Sequence, residues 1–333
     1  MSTHVLTMGT RGSPLALAQS RQVARALQAA HAGLRIDENI IRTTGDKQQG
    51  ASLPSIGGKG VFTLEIEAAL LDGTIDFAVH SLKDLPPDLP DGLCLGCIPV
   101  RESSEDVCLL SSRLRQMTPE EHERYRAQIE EKTGDEFPLW PFLPLGARVG
   151  TSSLRRAAQL LHFRPDLKIS DIRGNIDTRI RKLDEEGSDE SFDAIVLARA
   201  GLNRLGIARG VRLGERFFVP APGQGALAIE ARCDDKRVLD VLRALEDAAT
   251  RAQIVAERAC MKALGAGCST PLGARAVTYP SGAISMWAVV LAPDGKQRIF
   301  AEVEKYAIEN AENLGLQAAK KLLEAGAGAL LKT

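Results

Sequence analysis

The 333-residue chain has no apolar run of the roughly 18 residues that a membrane-spanning helix needs. Its first residues, Met1-Ser2-Thr3-His4-Val5, carry neither the basic stretch nor the apolar segment of an export signal, so a soluble, cytoplasmic protein that does not bind membranes is expected. Charge of one sign is also missing. With 42 Lys and Arg against 43 Asp and Glu the formal net charge is −1, which excludes a protein that grips nucleic acid with its whole surface. The six cysteines (Cys94, Cys97, Cys108, Cys233, Cys260, Cys268) are scattered, unlike the regular spacing of a disulfide scaffold, and reduced thiols are expected. Cys94-Leu95-Gly96-Cys97 spells C-x-x-C, but no second pair or nearby histidine completes a zinc site, so no metal is expected. Neither G-x-x-x-x-G-K-[ST] nor G-x-G-x-x-G follows a strand, which weighs against nucleotide binding.

What is present is ordinary globular material, 44% hydrophobic and 26% charged, long enough for two or three domains. Strands and helices alternate from the start. Leu6 to Met8 reads as a strand, and Ser13 as the N-cap of a helix with Pro14 in its first turn and Leu17, Val23, Ala24 and Leu27 along a buried stripe. Glu38 to Thr43 reads as a strand, 45–60 as a long glycine-rich loop, Val61 to Leu71 as a helix, and Leu93 to Val100 as a buried strand. The pattern breaks from Ser111 to Leu145, as for an inserted helical lobe, and resumes with strands at Arg148–Gly150, Leu167–Ile172 and Asp193–Leu197, each feeding a helix. Gly9-Thr10-Arg11-Gly12-Ser13 and Gly150-Thr151-Ser152-Ser153 share a Gly-Thr turn, a serine and a following helix, which suggests two α/β domains built alike and facing each other. Pro220 to Gly225 reads as a hinge, Ala226 to Glu230 as a strand, and the region after about Asp247 as an α+β module.

Chemistry concentrates in three places. The apolar run Phe77-Ala78-Val79 delivers His80, Ser81, Lys83 and Asp84 to the carboxyl end of a strand, where ligands bind in open α/β sheets. Between Arg148 and Lys182 stand nine basic residues against three acids (Asp166, Asp171, Asp177), a local +6 in a chain whose net is −1. Arg11, Arg155, Arg156, Arg173 and Arg179 lie at or near strand-to-helix turns, where unpaired N–H groups already favour anions, and read as ligand contacts. Arg164, Arg181 and Lys182 read instead as solvated or structurally paired. Guanidinium forks match carboxylates or phosphates bidentately, so a ligand with several such anions is implied. Asp84 in such a cleft has a use, either to stabilise a transient cation or to move a proton. The small-residue loop Leu264 to Gly273 adds an open thiol, Cys268.

Taken in order, Thr10-Arg11-Gly12-Ser13-Pro14-Leu15-Ala16, Gly57-Gly58-Lys59-Gly60, Val79-His80-Ser81-Leu82-Lys83-Asp84-Leu85-Pro86, Val149 to Arg156, Arg173-Gly174-Asn175 with Arg179, Ala200-Gly201-Leu202 with Arg204, and Pro222-Gly223-Gln224-Gly225-Ala226 resemble motifs of the porphobilinogen deaminase (hydroxymethylbilane synthase) family. The resemblance spans nearly the whole chain. It implies a monomeric transferase joining four porphobilinogen molecules head to tail, with release of ammonia, on a dipyrromethane primer held by a thioether at Cys268. It implies that Asp84 is the catalytic carboxylate, and that Ser81, Lys83, Asp84, Ser153, Arg155, Arg156, Arg173 and Gly174 hold the primer. Arg11, Ser13, Gln19, Arg155, Arg173, Arg179, Arg204 and Gln224 would bind substrate and growing chain, and Lys59 would sit on a mobile loop. The implied fold is two periplasmic-binding-protein-like α/β domains with mixed sheets (1–105 with 222–241, and 106–217) plus a small C-terminal α+β domain (246–333). The chain departs from the family pattern at Ser55, where lysine is frequent, at Ser103 to Val107, and in the length of 112–144. The reading from another class is a non-catalytic two-lobed anion-binding receptor or sensor, which an export signal or DNA-binding module would favour; neither is visible.

Overall fold

The computed structural model of the protein describes residues 5–44, 63–118, 120–121, 123–124, 127, 142–185, 191–267 and 270–331. Lys59, Cys268, the 45–60 loop and most of the inserted segment lie outside the described residues. Strands follow in chain order as β1 (Val5–Thr10), β2 (Arg35–Ile40), β3 (Phe77–Ser81), β4 (Leu93–Cys97), β5 (Asp106–Leu110), β6 (Arg148–Gly150), β7 (Lys168–Ser170), β8 (Ala194–Ala198), β9 (Val211–Arg212), β10 (Leu227–Arg232), β11 (Leu272–Thr278), β12 (Ala283–Leu291) and β13 (Arg298–Ala307).

Two five-stranded mixed sheets carry the same topology, β2-β1-β3-β10-β4 and β7-β6-β8-β5-β9. In each, three parallel strands are followed by a long antiparallel strand and an edge strand antiparallel to that one. The antiparallel member comes from across the molecule. The chain leaves the first sheet after β4 to enter the second at β5, and leaves the second after β9 to return at β10. Two lobes of the periplasmic-binding-protein type with exchanged strands result, and the Gly-Thr repeat of the sequence falls at equivalent ends, β1 and β6.

Each of those ends runs into a helix capped by its serine. Ser13 Oγ accepts from Ala16 N for the helix Pro14–Ala30, and Ser153 Oγ accepts from Arg156 N for the helix Leu154–Phe163. The first helix buries Gln19, Ser20, Val23 and Leu27, one face at helical spacing, against Leu6, Met8, Phe77 and Ile229. Burying a side chain such as Leu27 stabilises by about 1.5–3 kcal/mol. The second lobe's core gathers Cys108, Val149, Leu160, Ala194 and Val196.

The C-terminal module packs the antiparallel sheet β11-β12-β13 under the helices Ala248–Ala263 and Ala311–Glu324. Those helices touch backbone to backbone at Gly315, where a Cβ would lie 2.1 Å from the Ala256 carbonyl oxygen. Buried Glu257 joins the module to both interlobe segments. It accepts from Arg101 at 2.6 Å, from Gly223 N at 2.7 Å and from Ala276 N at 2.9 Å. The two segments pack closely at Gly225, whose φ is 90° and whose missing Cβ would stand 2.3 Å from the Glu102 carbonyl oxygen, so the hinge reading of Pro220 to Gly225 corresponds to a tightly packed crossing.

The structure corrects some boundaries. β2 starts three residues earlier than Glu38 because its register is set by pairing along β1, Val5 to Arg35 through Thr10 to Ile40, while its own side chains are mostly exposed and signal little. β5, β9 and the helix Lys236–Leu242 had no counterpart in the sequence reading.

Candidate active site

Both lobes aim strand ends at one cleft, as open α/β sheets do. From the first lobe, β1 hands over to Arg11 and Ser13, and β3 ends at Ser81 and tightens into a single 3₁₀ turn, Leu82–Asp84, which closes before Pro86 and Pro87. From the second, β6 leads to Arg156, β7 to Gly174, and β8 to Arg204 through the short helix Arg199–Arg204. A cavity of about 270 Å³ lies between them. Of the sequence-designated residues it is lined by Arg11, Ser13, Gln19, Ser81, Lys83 and Asp84 on one side and by Arg156, Gly174, Arg179 and Arg204 on the other. Gln19 reaches across to donate to Ser81 Oγ at 2.9 Å.

Four designated residues stand elsewhere. Arg155 is buried and spends its guanidinium on Asp106 Oδ2 at 2.7 Å and the Val219 carbonyl at 2.8 Å. Ser153 is the helix cap. Arg173 lies at the surface with Asp171, 3.4 Å away. Gln224 is fully buried behind the cavity wall, where it donates to the Ser104 carbonyl at 2.7 Å and to Asp106 Oδ1 at 3.0 Å. Outside the cleft, Arg164 pairs with Asp166 and donates to the Leu143 and Pro144 carbonyls, the structural use expected of it.

The cavity is cationic: Arg11, Lys83, Arg156, Arg179 and Arg204 face two acids, Asp84 and Asp177, of which the second was not singled out from sequence as a site residue. Lys83 is half-buried by surface area, but its ammonium sits deep in the wall. Burial and then the neighbouring Arg156 lower it to about 8, against the opposing pull of Asp84 and Asp106. Burial and Arg156 likewise lower Arg179 to about 10, with Asp84 opposing. Arg204 donates to the Gly225 carbonyl at 2.8 Å, while its Nε is buried without a hydrogen-bond partner among the described residues. Asp84 is exposed on the cavity wall and makes no hydrogen bond or ion pair with the described residues.

Cations held below their ordinary values take protons up when an anion arrives. In a chain with a free cleft Lys83 is half-protonated near pH 8, so binding of a carboxylate ligand there should take up about half a proton, and affinity should fall as pH rises through 8. Calorimetry at pH 8 in buffers of different ionisation enthalpy measures the uptake. Zero uptake, or an uptake that survives Lys83→Gln, would contradict the assignment.

The residue missed altogether was Asp106, the partner of both Arg155 and Arg156. Its signal was its place at the head of the apolar run Val107 to Leu110, where a carboxylate entering a buried strand must be paired.

The fold and the site define a two-lobed α/β protein with a cationic interlobe cleft and an acid at the end of a central strand. Comparison with known proteins narrows the class. The family model described as porphobilinogen deaminase, dipyromethane cofactor binding domain, matches residues 6–240, and the one described as porphobilinogen deaminase, C-terminal domain, matches residues 252–324. The porphobilinogen deaminase of Syntrophobacter fumaroxidans is 42% identical over 334 residues, covering 100% of this chain and 98% of that protein. That of Sorangium cellulosum is 48% identical over 299 residues, covering 89% and 90%. An ancestral cationic amino acid solute binding protein of known structure covers 72% of this chain and 88% of its own at 13% identity, with a TM-score of 0.40. The chain belongs to the porphobilinogen deaminase family, transferases that polymerise porphobilinogen into hydroxymethylbilane in tetrapyrrole biosynthesis and carry a dipyrromethane cofactor.

Proposed function

We propose that this chain builds hydroxymethylbilane in the interlobe cleft, with Asp84 as its catalytic carboxylate and Cys268 as the attachment point of the dipyrromethane. The observation that carries the reading is the cavity's charge: five cations gathered from both lobes around Asp84 and Asp177. The donor set fits the cofactor's chemistry, since guanidinium forks and serine hydroxyls pair with acetate and propionate groups, and Arg204 Nε has no partner among the described residues. Ser81, Lys83, Arg156 and Gly174 would hold the dipyrromethane, and Arg11, Ser13, Gln19, Arg179 and Arg204 the incoming substrate and growing chain. Arg155 and Gln224 would act from behind the cavity wall, Ser153 through the helix it caps, and Arg173 from the surface next to Gly174. When bound, the dipyrromethane supplies the end to which pyrrole units are joined.

The chain's own residues do the rest. Arginines bind the carboxylates of the substrate, and that pairing offsets the repulsion that would grow as each unit brings two more acids. Asp84, free of structural partners, faces the carbon from which ammonia departs and offsets the positive charge left there, where the arginines alone would oppose it. Lys83, two residues beyond β3, presents an ammonium to an arriving carboxylate below about pH 8, and the bound carboxylate then holds that proton to higher pH. Segments 1–105 with 222–241, 106–217 and 246–333 are proposed as the three domains of a cytoplasmic monomer. No helix among the described residues is long and apolar enough to cross a membrane.

Intact mass tests the reading. The purified chain should be heavier than its sequence by two pyrrole units, and limiting porphobilinogen should add further units one at a time. An unmodified chain that binds porphobilinogen without releasing ammonia would overturn the proposal.

A further inference from the structure

We propose that Asp106 is a positioning residue for this cleft: one buried carboxylate that orients Arg156 directly and Lys83 through Gln224, and so holds cations of both lobes in a single arrangement. The inference rests on the assignment of the cleft given above.

Asp106 opens β5 at the first crossing between lobes and is 1% exposed. Its Oδ1 receives Arg156 Nε at 3.0 Å, Arg156 Nη2 at 2.7 Å and Gln224 Nε2 at 3.0 Å, and its Oδ2 receives Arg155 Nη1 at 2.7 Å. Gln224 comes from the second crossing. With its amide nitrogen committed to Asp106 and the Ser104 carbonyl, its Oε1 is turned outward and accepts from Lys83 Nζ at 3.3 Å and from Arg156 Nη2 at 3.5 Å. Asp106 therefore also fixes which end of the Gln224 amide faces the cleft. A reversed amide would present N–H groups to an ammonium.

The two adjacent arginines are put to different uses by the same acid. Arg155 is closed off by the Val219 carbonyl and the Phe218 ring, whereas Arg156, bonded on to the Val196 carbonyl at 3.1 Å, still lines the cavity. Burial alone would raise the Asp106 carboxyl, but Arg155 and Arg156 outweigh it and hold the group down at about 2, so the anion persists throughout the working range. The charged groups acting on Lys83 are Arg155 and Arg156 from the helix Leu154–Phe163, Asp84 from its own turn and Asp106 from β5. Removing Asp106 leaves two cations and one acid among them.

A purely structural Asp106 would change stability alone, so the test reads Lys83. Full-length protein is exposed to an amine-reactive reagent over a series of pH values, and labelling at Lys83 is followed by peptide mass mapping. In Asp106→Asn the midpoint should fall by about one pH unit relative to wild type, and KM for porphobilinogen should rise more than kcat falls. Asp106→Glu, which keeps the charge, should return the midpoint. If Asp106→Asn does not fold, Gln224→Met carries the test: it leaves Asp106 on both arginines, removes the amide that joins Asp106 to Lys83 together with the amide's weaker bond from Arg156, and should also lower the midpoint. An unchanged midpoint in a folded Asp106→Asn protein, or in Gln224→Met when it stands in, overturns the inference. Because labelling is read without substrate, a chain inactive toward porphobilinogen would defeat the functional reading while leaving this measurement intact.

Discussion

Asp84→Asn is expected to slow pyrrole addition by about 10²–10³-fold, the range typical of removing one preorganised charge-stabilising group, while fold and melting temperature stay the same. The second half of that expectation comes from what Asp84 does not touch. It forms no hydrogen bond or ion pair with the described residues, it is exposed, and the 3₁₀ turn that presents it is closed by the Leu85 N to Leu82 carbonyl bond rather than by its side chain. Asparagine keeps the shape and loses the charge. The cavity then holds five cations against Asp177 alone, which should tighten its grip on ground-state carboxylates even as the developing cation loses its partner. The signature is therefore a split: kcat falls steeply while KM holds steady or drops. Single-turnover measurement of ammonia release separates the step from product departure. If kcat is retained within a few-fold, or if KM alone rises, Asp84 is a binding residue and the catalytic role belongs elsewhere.

Much of this site could be read before the structure because its residues cluster locally. Serine caps, a proline in the first helical turn, and the Gly-Thr turn repeated at the ends of β1 and β6 are short-range signals, and they fell on topologically equivalent places. The exchanged strands β5 and β10 are defined by partners far away in sequence, such as Asp106 opposite Ala198 and Leu227 opposite Ser81, and no local pattern specifies such pairing. The same distance hid Asp106. In Ser103-Ser104-Glu105-Asp106 it looked like one more polar residue, yet its arginines lie 49 and 50 positions on. Arg155 and Arg156 looked alike for the opposite reason. Both occupy the first turn of a helix at a strand end, but neighbours on a helix point about 100° apart, so only Arg156 lines the cavity while Arg155 turns to Asp106 and Val219.

Cys268→Ser should yield a chain whose intact mass equals its sequence, with no bound pyrrole and no turnover. The loop that carries residue 268 is anchored at both ends. Ala266 N donates to the Met261 carbonyl, Gly267 N to Thr270 Oγ1 at 3.1 Å, and Leu291 N to the Pro271 carbonyl where β11 begins, and none of these uses the side chain at 268. A hydroxyl in place of the thiol cannot form the thioether, and a serine hydroxyl is a far weaker nucleophile than a thiolate at neutral pH. The alternative attachment points are few. Burial pushes the thiols of Cys97, Cys108 and Cys260 up to about 12, which leaves almost no thiolate at pH 7. Burial and a hydrogen bond with Cys233 raise Cys94 to about 11. Among the described cysteines only Cys233 is exposed, on the segment following β10, and the cavity lining does not include it. A Cys268→Ser chain that still carried two pyrrole units would therefore point to Cys233 and would be settled by mapping the modified peptide. Loss of the added mass together with an unchanged melting temperature for the first two lobes would place the anchor at 268 and show that the lobes fold without it.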